Sequence, residues 1–119
     1  AIKLCGDDIA FYSGNDDQIT AFMALGAKGV ISVLSNIAPK LTHSIASAAL
    51  KGDIAESAKL QLEWLDLCND LFVDVNPVPV KAAMEMMGLA VGRCRMPLGT
   101  LSEANAKKLA ETLKRHGFI

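Results

Sequence analysis

Residues 9–34 read IAFYSGNDDQITAFMALGAKGVISVL, and this stretch decides the predicted fold. Two short apolar segments, residues 9–12 and 30–34, are rich in the β-branched and aromatic residues that favour strands. Between them lies a helical apolar pattern, with Asn15 or Asp16 as its candidate N-cap. A strand, a helix and a strand with short connections predict a right-handed parallel βαβ unit.

From Pro39 onward the sequence predicts helices only. Pro39 suits the first position of a helix, and Gly52 suits the end of the same helix. Asp53 opens the next helix, because Glu56 three residues later completes a capping box. The apolar pattern carries this second helix without interruption to about Val73.

The helix predicted from residue 53 has two apolar stripes, which is more surface than one neighbour can cover. We therefore expect it to pack on two partners or at a subunit interface. Two prolines then break the helical pattern within residues 76–80. The remaining predicted elements are a helix over residues 81–89, a loop over 91–99 and a last helix capped by Ser102.

The fold class predicted from these patterns is α/β, with a mixed first part and a helical remainder. We place the boundary between residues 1–52, which hold the strand-helix units, and residues 53–119, which form a helical C-terminal domain. Two parallel strands do not make a complete sheet, because their outer edges lack partners. The first residue is Ala1 rather than Met, so we expect a trimmed chain or one that starts partway through a longer polypeptide.

Composition excludes several classes of protein. The 119 residues are 51% hydrophobic, which is typical of a soluble globular protein, and 12 Lys and Arg stand against 13 Asp and Glu. A nearly neutral chain offers no basic field for a nucleic acid. Charged residues interrupt every long apolar stretch, so no membrane span is predicted. The odd count of three cysteines favours a reducing compartment, and we expect a cytoplasmic protein.

Few residues form a pattern that carries chemistry. His43 and His116 have no metal-binding spacing relative to the cysteines, so no metal site is predicted. Polar residues do follow both predicted strands, at positions 13–17 and 32–36. The carboxyl ends of parallel strands form the ligand side of an α/β sheet, so these residues suit a pocket wall. The alternative is that the polar side chains at positions 15–17 only cap the following helix.

Four segments resemble a known family. They are SGND at residues 13–16, FMALGAKGVISV at 22–33, NPVPVK at 76–81 and RMPL at 95–98. Together they resemble the C-terminal part of the dihydrodipicolinate synthase family of Schiff-base aldolases. The resemblance implies a (β/α)8 TIM barrel followed by a helical domain, in which this chain supplies the last two strand-helix units and the whole helical tail. By itself the chain would be an incomplete barrel.

The activity that the resemblance implies is the condensation of pyruvate with aspartate semialdehyde in lysine biosynthesis. The family uses a lysine that forms an imine with pyruvate and needs no cofactor. The resemblance also implies a homo-oligomer, a tetramer of complete subunits. Two alternatives remain open at this point: another pyruvate-dependent aldolase of the sugar-acid or N-acetylneuraminate lyase type, or a non-catalytic helical interaction module.

No catalytic residue of the family matches a position in this chain. Lys28, Lys40 and Lys81 do not match the imine-forming lysine, which belongs to the sixth barrel strand, and Tyr12 does not match the proton-relay tyrosine. The chain alone is therefore expected to be inactive. The implied partner is a complementary N-terminal chain that carries barrel strands one to six.

The resemblance implies a modest set of substrate-binding residues in this chain. Gly14 matches the family glycine at the end of strand seven, and Ile31 matches a strand-eight residue whose backbone borders pyruvate. Asn15 and Asp16 follow Gly14 in the same loop, and Asn15 replaces the aspartate that is commonest there. The expected substrate-binding residues are thus Gly14, Asn15, Asp16 and Ile31.

Overall fold

Seven α-helices and two short 3-10 turns form the secondary structure of the computed structural model, which describes residues 1–119. The helices are α1 (Ile2–Cys5), α2 (Ile19–Ala24), α3 (Pro39–Leu50), α4 (Ile54–Glu63), α5 (Leu65–Asp70), α6 (Val78–Met86) and α7 (Glu103–Arg115). The 3-10 turns are Asp16–Gln18 and Leu34–Asn36. None of the seven helices combines the length and the apolar character that crossing a lipid bilayer requires.

The chain divides into two compact units, Ala1–Trp64 and Leu65–Ile119. This division falls within the helix predicted from residue 53 to about 73. The predicted boundary between residues 1–52 and 53–119 marks a different feature, the end of the barrel, and it stays a prediction.

The prediction of two regular strands is wrong. The structure contains a single isolated parallel bridge, between Ser13 and Val30, and no strand. Residues 9–12 precede the bridge, and the second segment turns into a 3-10 helix at Leu34. The parallel direction of the pairing agrees with the βαβ prediction. A regular strand also needs neighbours on its edges to receive its hydrogen bonds, and each segment here pairs only with the other over a short stretch.

The core of the first unit lies between α2, α3 and α4. Its buried members come from α2, from α3 and from the loop that follows α2: Ile19, Met23, Ala27, Ile45 and Ala49. Ile54 and Leu60 of α4 pack against this cluster. The helix that separates the two bridged segments thus packs on the two helices that follow them.

The ends of α3 and the start of α4 follow their sequence signals. Helix α3 begins at Pro39, as predicted, and is followed by Gly52 with φ +84°, a conformation that glycine adopts without strain. The side chain of Asp53 then accepts a hydrogen bond of 3.0 Å from the Glu56 amide. The predicted N-cap of α4 is therefore confirmed.

The predicted unbroken helix from residue 53 to about 73 is wrong. It is interrupted at Trp64, whose φ of −110° and ψ of 12° leave the helical region, and α4 and α5 lie on either side. The two halves pack on different elements: α4 contacts α2 and α3, whereas α5 contacts α7. The apolar positions of the predicted helix are therefore divided between two short helices, and each helix packs within its own unit.

The second unit is formed by α5, α6 and α7. Helix α6 begins at Val78, three residues before the predicted start, because Pro79 lies in its first turn, where a missing amide proton costs nothing. Residues 87–102 contain no helix, in agreement with the predicted loop. Ser102 accepts a hydrogen bond of 3.3 Å from the Asn105 amide, which confirms the predicted cap of α7.

Candidate functional site

The parallel bridge brings the two polar loops of the first unit together. The Ser13 amide donates to the Gly29 carbonyl at 2.9 Å, and the Ile31 amide donates to the Ser13 carbonyl at 2.8 Å. Both segments run in the same direction, so the residues that follow the bridge leave it at the same end. Gly14 and Ile31 therefore lie side by side, as the pocket-wall prediction requires.

Three of the four predicted substrate-binding residues face outward. Gly14 and Asn15 are exposed, and the Ile31 side chain is 72% exposed. A Cβ atom at Gly14 would meet no atom within 4 Å, so the loop surface is open at this point. These residues can form part of a pocket wall. Their role in binding a substrate stays a prediction.

The backbone of the loop is held in a tight local turn. The Ser13 hydroxyl donates to the Asn15 carbonyl at 2.9 Å and accepts a hydrogen bond from the Asn15 amide at 3.2 Å. Ser13 is fully buried. The Asn15 side chain makes no capping hydrogen bond to the 3-10 turn that follows it. Asn15 is thus the N-cap residue of the turn by position, but its side chain does not act as the cap, and its exposed amide group can face a ligand.

Asp16 differs from the other three predicted residues because it is buried, with 1% of its surface exposed. Its Oδ2 atom accepts hydrogen bonds from two consecutive backbone amides, Val33 at 2.9 Å and Leu34 at 2.8 Å. Its Oδ1 atom is buried and has no hydrogen-bond partner among these residues. The carboxylate thus caps the second 3-10 turn rather than the helix that follows it, so the helix-cap interpretation of Asp16 is wrong.

A buried glutamine holds the same loop from the α4 side. The Gln61 side chain donates through Nε2 to the Asp16 carbonyl at 2.8 Å, and its Oε1 atom accepts from the Thr20 amide at 3.4 Å. The Thr20 and Ser57 hydroxyls share a hydrogen bond of 2.8 Å, and Ser57 donates to the Ile45 carbonyl at 2.9 Å. The sequence analysis missed this network. Its only signal is a glutamine among the apolar residues of α4.

The second unit contains a separate polar cluster between α5 and α7. His116 Nε2 lies 2.9 Å from Asp66 Oδ1, and Arg115 lies 3.4 Å from Asp66 Oδ2. The structure thus pairs His116 with a carboxylate 50 residues away along the chain. No group of three or more histidine, cysteine or carboxylate side chains is arranged to hold a metal ion.

Comparison with known proteins decides the family. A model of the dihydrodipicolinate synthetase family matches residues 1–116. The chain belongs to this family. The resemblance noted from the sequence motifs is therefore confirmed, and it extends over nearly the whole chain.

Relatives within the dihydrodipicolinate synthetase family match the chain along its length. The 4-hydroxy-tetrahydrodipicolinate synthase of Acetivibrio thermocellus is 50% identical over 118 residues, which cover 99% of this chain. A crystal structure of dihydrodipicolinate synthase from Aquifex aeolicus matches with a TM-score of 0.95 and 38% identity over 98% of this chain and 40% of that one. The chloride-inhibited synthase of Acinetobacter baumannii, complexed with pyruvate, matches with a TM-score of 0.94 and 38% identity over 99% of this chain and 40% of that one.

The chain spans about 40% of the length of the curated relatives it matches. It is similar to the C-terminal part of these synthases, as the motifs indicated. The chain thus corresponds to a part of the family's fold. In this part, one parallel bridge stands where two strands were predicted. The comparisons give no support to a sugar-acid lyase or to a non-catalytic interaction module.

Proposed function

We propose that this chain is the C-terminal part of a Schiff-base lyase that condenses pyruvate with aspartate semialdehyde in lysine biosynthesis. The observation that carries the proposal is the 50% identity to a 4-hydroxy-tetrahydrodipicolinate synthase over 99% of the chain. The pyruvate complex of the Acinetobacter baumannii relative supports the assignment of one substrate. We place the protein in the cytoplasm, because an odd count of three cysteines favours a reducing compartment.

In this proposal the loop surface after the parallel bridge is one wall of the substrate pocket. Gly14, Asn15 and Ile31 form the surface of the wall, and Asp16 lies beneath them. The exposed side-chain amide of Asn15 offers both a donor and an acceptor to the polar groups of the second substrate. A carboxylate at the same position would instead offer acceptors only.

The reactive amine comes from another part of the polypeptide. In a Schiff-base lyase, a lysine amine condenses with the pyruvate ketone, water leaves, and loss of a proton gives the enamine that attacks the aldehyde. The resemblance implies that this lysine belongs to the sixth barrel strand, and no lysine of this chain matches it. We propose that a complementary chain with barrel strands one to six supplies the lysine, that this chain alone is inactive, and that the complete subunits form a tetramer.

An exposed apolar groove in the first unit supports the need for such a partner. The groove measures about 560 Å³, and four of its lining side chains are Phe11, Tyr12, Phe22 and Leu25. Apolar side chains gathered in one open groove mark a surface that another part of a protein covers. The unpaired outer edges of residues 9–13 and 30–33 are the natural position for further strands.

Reconstitution with the Acetivibrio thermocellus synthase tests the proposed function. The chimera consists of the part of that enzyme that does not align with this chain, followed by these 119 residues. We expect the chimera to consume pyruvate and aspartate semialdehyde, and borohydride to trap a pyruvate imine on it. The 119 residues alone and the truncated Acetivibrio part alone are the matched controls, and both should be inactive.

The outcomes separate the possible functions. A folded chimera that traps the pyruvate imine but cleaves a sugar acid instead of condensing aspartate semialdehyde would contradict the substrate assignment. A folded chimera without an imine would contradict the lyase assignment. Activity in the 119 residues alone would contradict the need for a complementary chain.

A further inference from the structure

The Asp16 carboxylate connects the two loops that form the candidate pocket wall. It belongs to the loop that carries Gly14 and Asn15, and it accepts hydrogen bonds from amides 17 and 18 residues further along the chain. The donating residues, Val33 and Leu34, lie at the end of the same segment that carries Ile31. One side chain therefore adds a second connection between the two halves of the wall, beyond the parallel backbone bridge.

We propose that Asp16 is a positioning residue for the second substrate, which it serves by holding the Gly14–Asn15 loop against the end of the Ile31 segment. This inference rests on the proposed function. With 1% of its surface exposed, the Asp16 side chain lies beneath the wall and does not reach its face. The exposed amide of Asn15 is the group that the second substrate meets.

The hydrogen bonds explain why a carboxylate suits this position. Bonds from backbone amides to an ionised oxygen are shorter and stronger than bonds to a neutral acceptor. The adjacent amides of Val33 and Leu34 have no partner within a helix at this point, so Asp16 satisfies two donors with one oxygen atom. A buried negative charge with few partners is costly, and these contacts offset part of that cost.

A hydrogen bond to the backbone of Asp16 holds the loop in place even if the Asp16 side chain moves. Gln61 Nε2 donates a hydrogen bond to the Asp16 carbonyl at 2.8 Å, and Gln61 Oε1 accepts one from the Thr20 amide. The residue is thus anchored through its backbone to α4 and through its side chain to the second loop. A change in the side chain alone should release the connection to Val33 and Leu34 while the backbone anchor remains.

The experiment uses the chimera and two graded variants. Asp16→Asn keeps an oxygen acceptor without the charge, and Asp16→Ala removes the acceptor. We expect the KM for aspartate semialdehyde to rise by about fivefold or more in Asp16→Asn and further in Asp16→Ala, because misplaced binding groups weaken substrate positioning. The KM for pyruvate should change by less than about twofold, since the imine holds pyruvate to a lysine elsewhere.

Hydrogen exchange measures the connection directly, and it does so in the milder variant even where Asp16→Ala fails to fold. The Val33 and Leu34 amides should exchange about tenfold faster or more in Asp16→Asn, because local opening becomes easier. Asp17→Asn is the matched control. It removes the same charge from the neighbouring exposed position, and it should leave both the exchange rates and the KM values unchanged.

Each result supports or overturns the proposal. Faster exchange with a raised KM for aspartate semialdehyde alone supports it. Faster exchange with unchanged KM values shows a purely structural contact and overturns it, as does equal loss in Asp16→Asn and Asp16→Ala, which indicates direct action of the charge. If the unmodified chimera is folded but inactive, the proposed function itself has failed, and the exchange rates then report only on the structural contact.

Discussion

Asp66 and Asp70, which lie one turn apart on α5, show how two identical side chains acquire different surroundings. Asp70 is buried, and its two oxygens pair with Lys108 at 2.6 Å and with the Thr112 hydroxyl at 2.8 Å. Asp66 is partly exposed and pairs with Arg115 and His116. All four partners belong to α7 or directly follow it, so the two carboxylates hold α5 against α7.

The surroundings of Asp66 shift its protonation. Partial burial raises the pKa of Asp66, but the hydrogen bonds from His116 and from the Leu67 amide lower it by more, together with the positive charges of His116 and Arg115. The net result is that the pKa of Asp66 lies below its ordinary value. The ionised form of this carboxyl is therefore favoured more strongly in the folded chain than in the unfolded one.

We predict that Asp66 contributes to acid sensitivity. A carboxyl with a lowered folded pKa stabilises the fold fully above its unfolded pKa, about 3.9, and that stabilisation is lost as the pH falls through the folded value. Asp66→Asn should therefore be less stable than the unmodified chain at neutral pH, and the difference should shrink below about pH 4. Urea midpoints across this range measure the effect, with Glu85→Gln on α6 as an exposed control away from the α5–α7 cluster. A difference that is independent of pH would contradict the prediction.

At the scale of the element, α7 is a helix whose limits follow from its own sequence. Ser102 caps its first turn, Glu103 lies next to the positive end of the helix dipole, and Lys114 and Arg115 lie in its last turn. Leu109 and Leu113, one turn apart, are fully buried. Capping, charge and apolar spacing all agree here, which is why the predicted helix is confirmed.

We predict that the cap of α7 carries measurable stability. Ser102→Ala removes the acceptor for the Asn105 amide and should lower the free energy of unfolding by about 0.5–2 kcal/mol. Ser102→Asp keeps an acceptor and should stay close to the unmodified chain. Urea unfolding of the three proteins measures the order. Equal loss in the alanine and aspartate variants would show that the side-chain acceptor does not matter.

Helices α4 and α5 show where sequence prediction fails at this scale. The apolar pattern runs through Trp64 without a proline or a glycine, so nothing local announces an interruption. The break follows from packing, since Ser57 and Gln61 join the polar network of the first unit while Leu67 and Cys68 are buried in the second. Periodicity reports that a residue is buried, but it does not report against which element.

At the scale of the whole molecule, the first unit exposes several large apolar side chains in one open groove. Leu25 is 76% exposed and lines the groove together with Phe22 and Tyr12. Under the proposed function, barrel strands one to six would pack against this groove in a complete subunit.

We predict that Leu25→Glu weakens association with the complementary part of the Acetivibrio thermocellus synthase, supplied as a separate chain. A charge placed in a buried apolar contact loses its hydration without gaining a partner. The dissociation constant should rise by about tenfold or more, while the melting temperature of the 119-residue chain stays within about 2 °C, because Leu25 is exposed there.

Isothermal titration calorimetry provides the measurement, and Lys59→Glu is the control. Lys59 is an exposed residue of α4, so its replacement introduces the same side chain away from the groove. Equal binding by the unmodified chain and Leu25→Glu would exclude the groove as the contact surface.

The sequence by itself determined the family and the local elements: the start of α3 at Pro39, the caps at Asp53 and Ser102, and the loop that carries Gly14 and Asn15. These features depend on residues within a few positions of one another, so their physical causes are complete within a short segment. Only the tertiary structure decided that one bridge forms where two strands were predicted and that a helix ends at Trp64. It also decided that the Asp16 carboxylate accepts hydrogen bonds from the Val33 and Leu34 amides. Each of these depends on a neighbour that is distant along the chain, and residue order alone does not specify which donors, strands or helices lie close enough to pair.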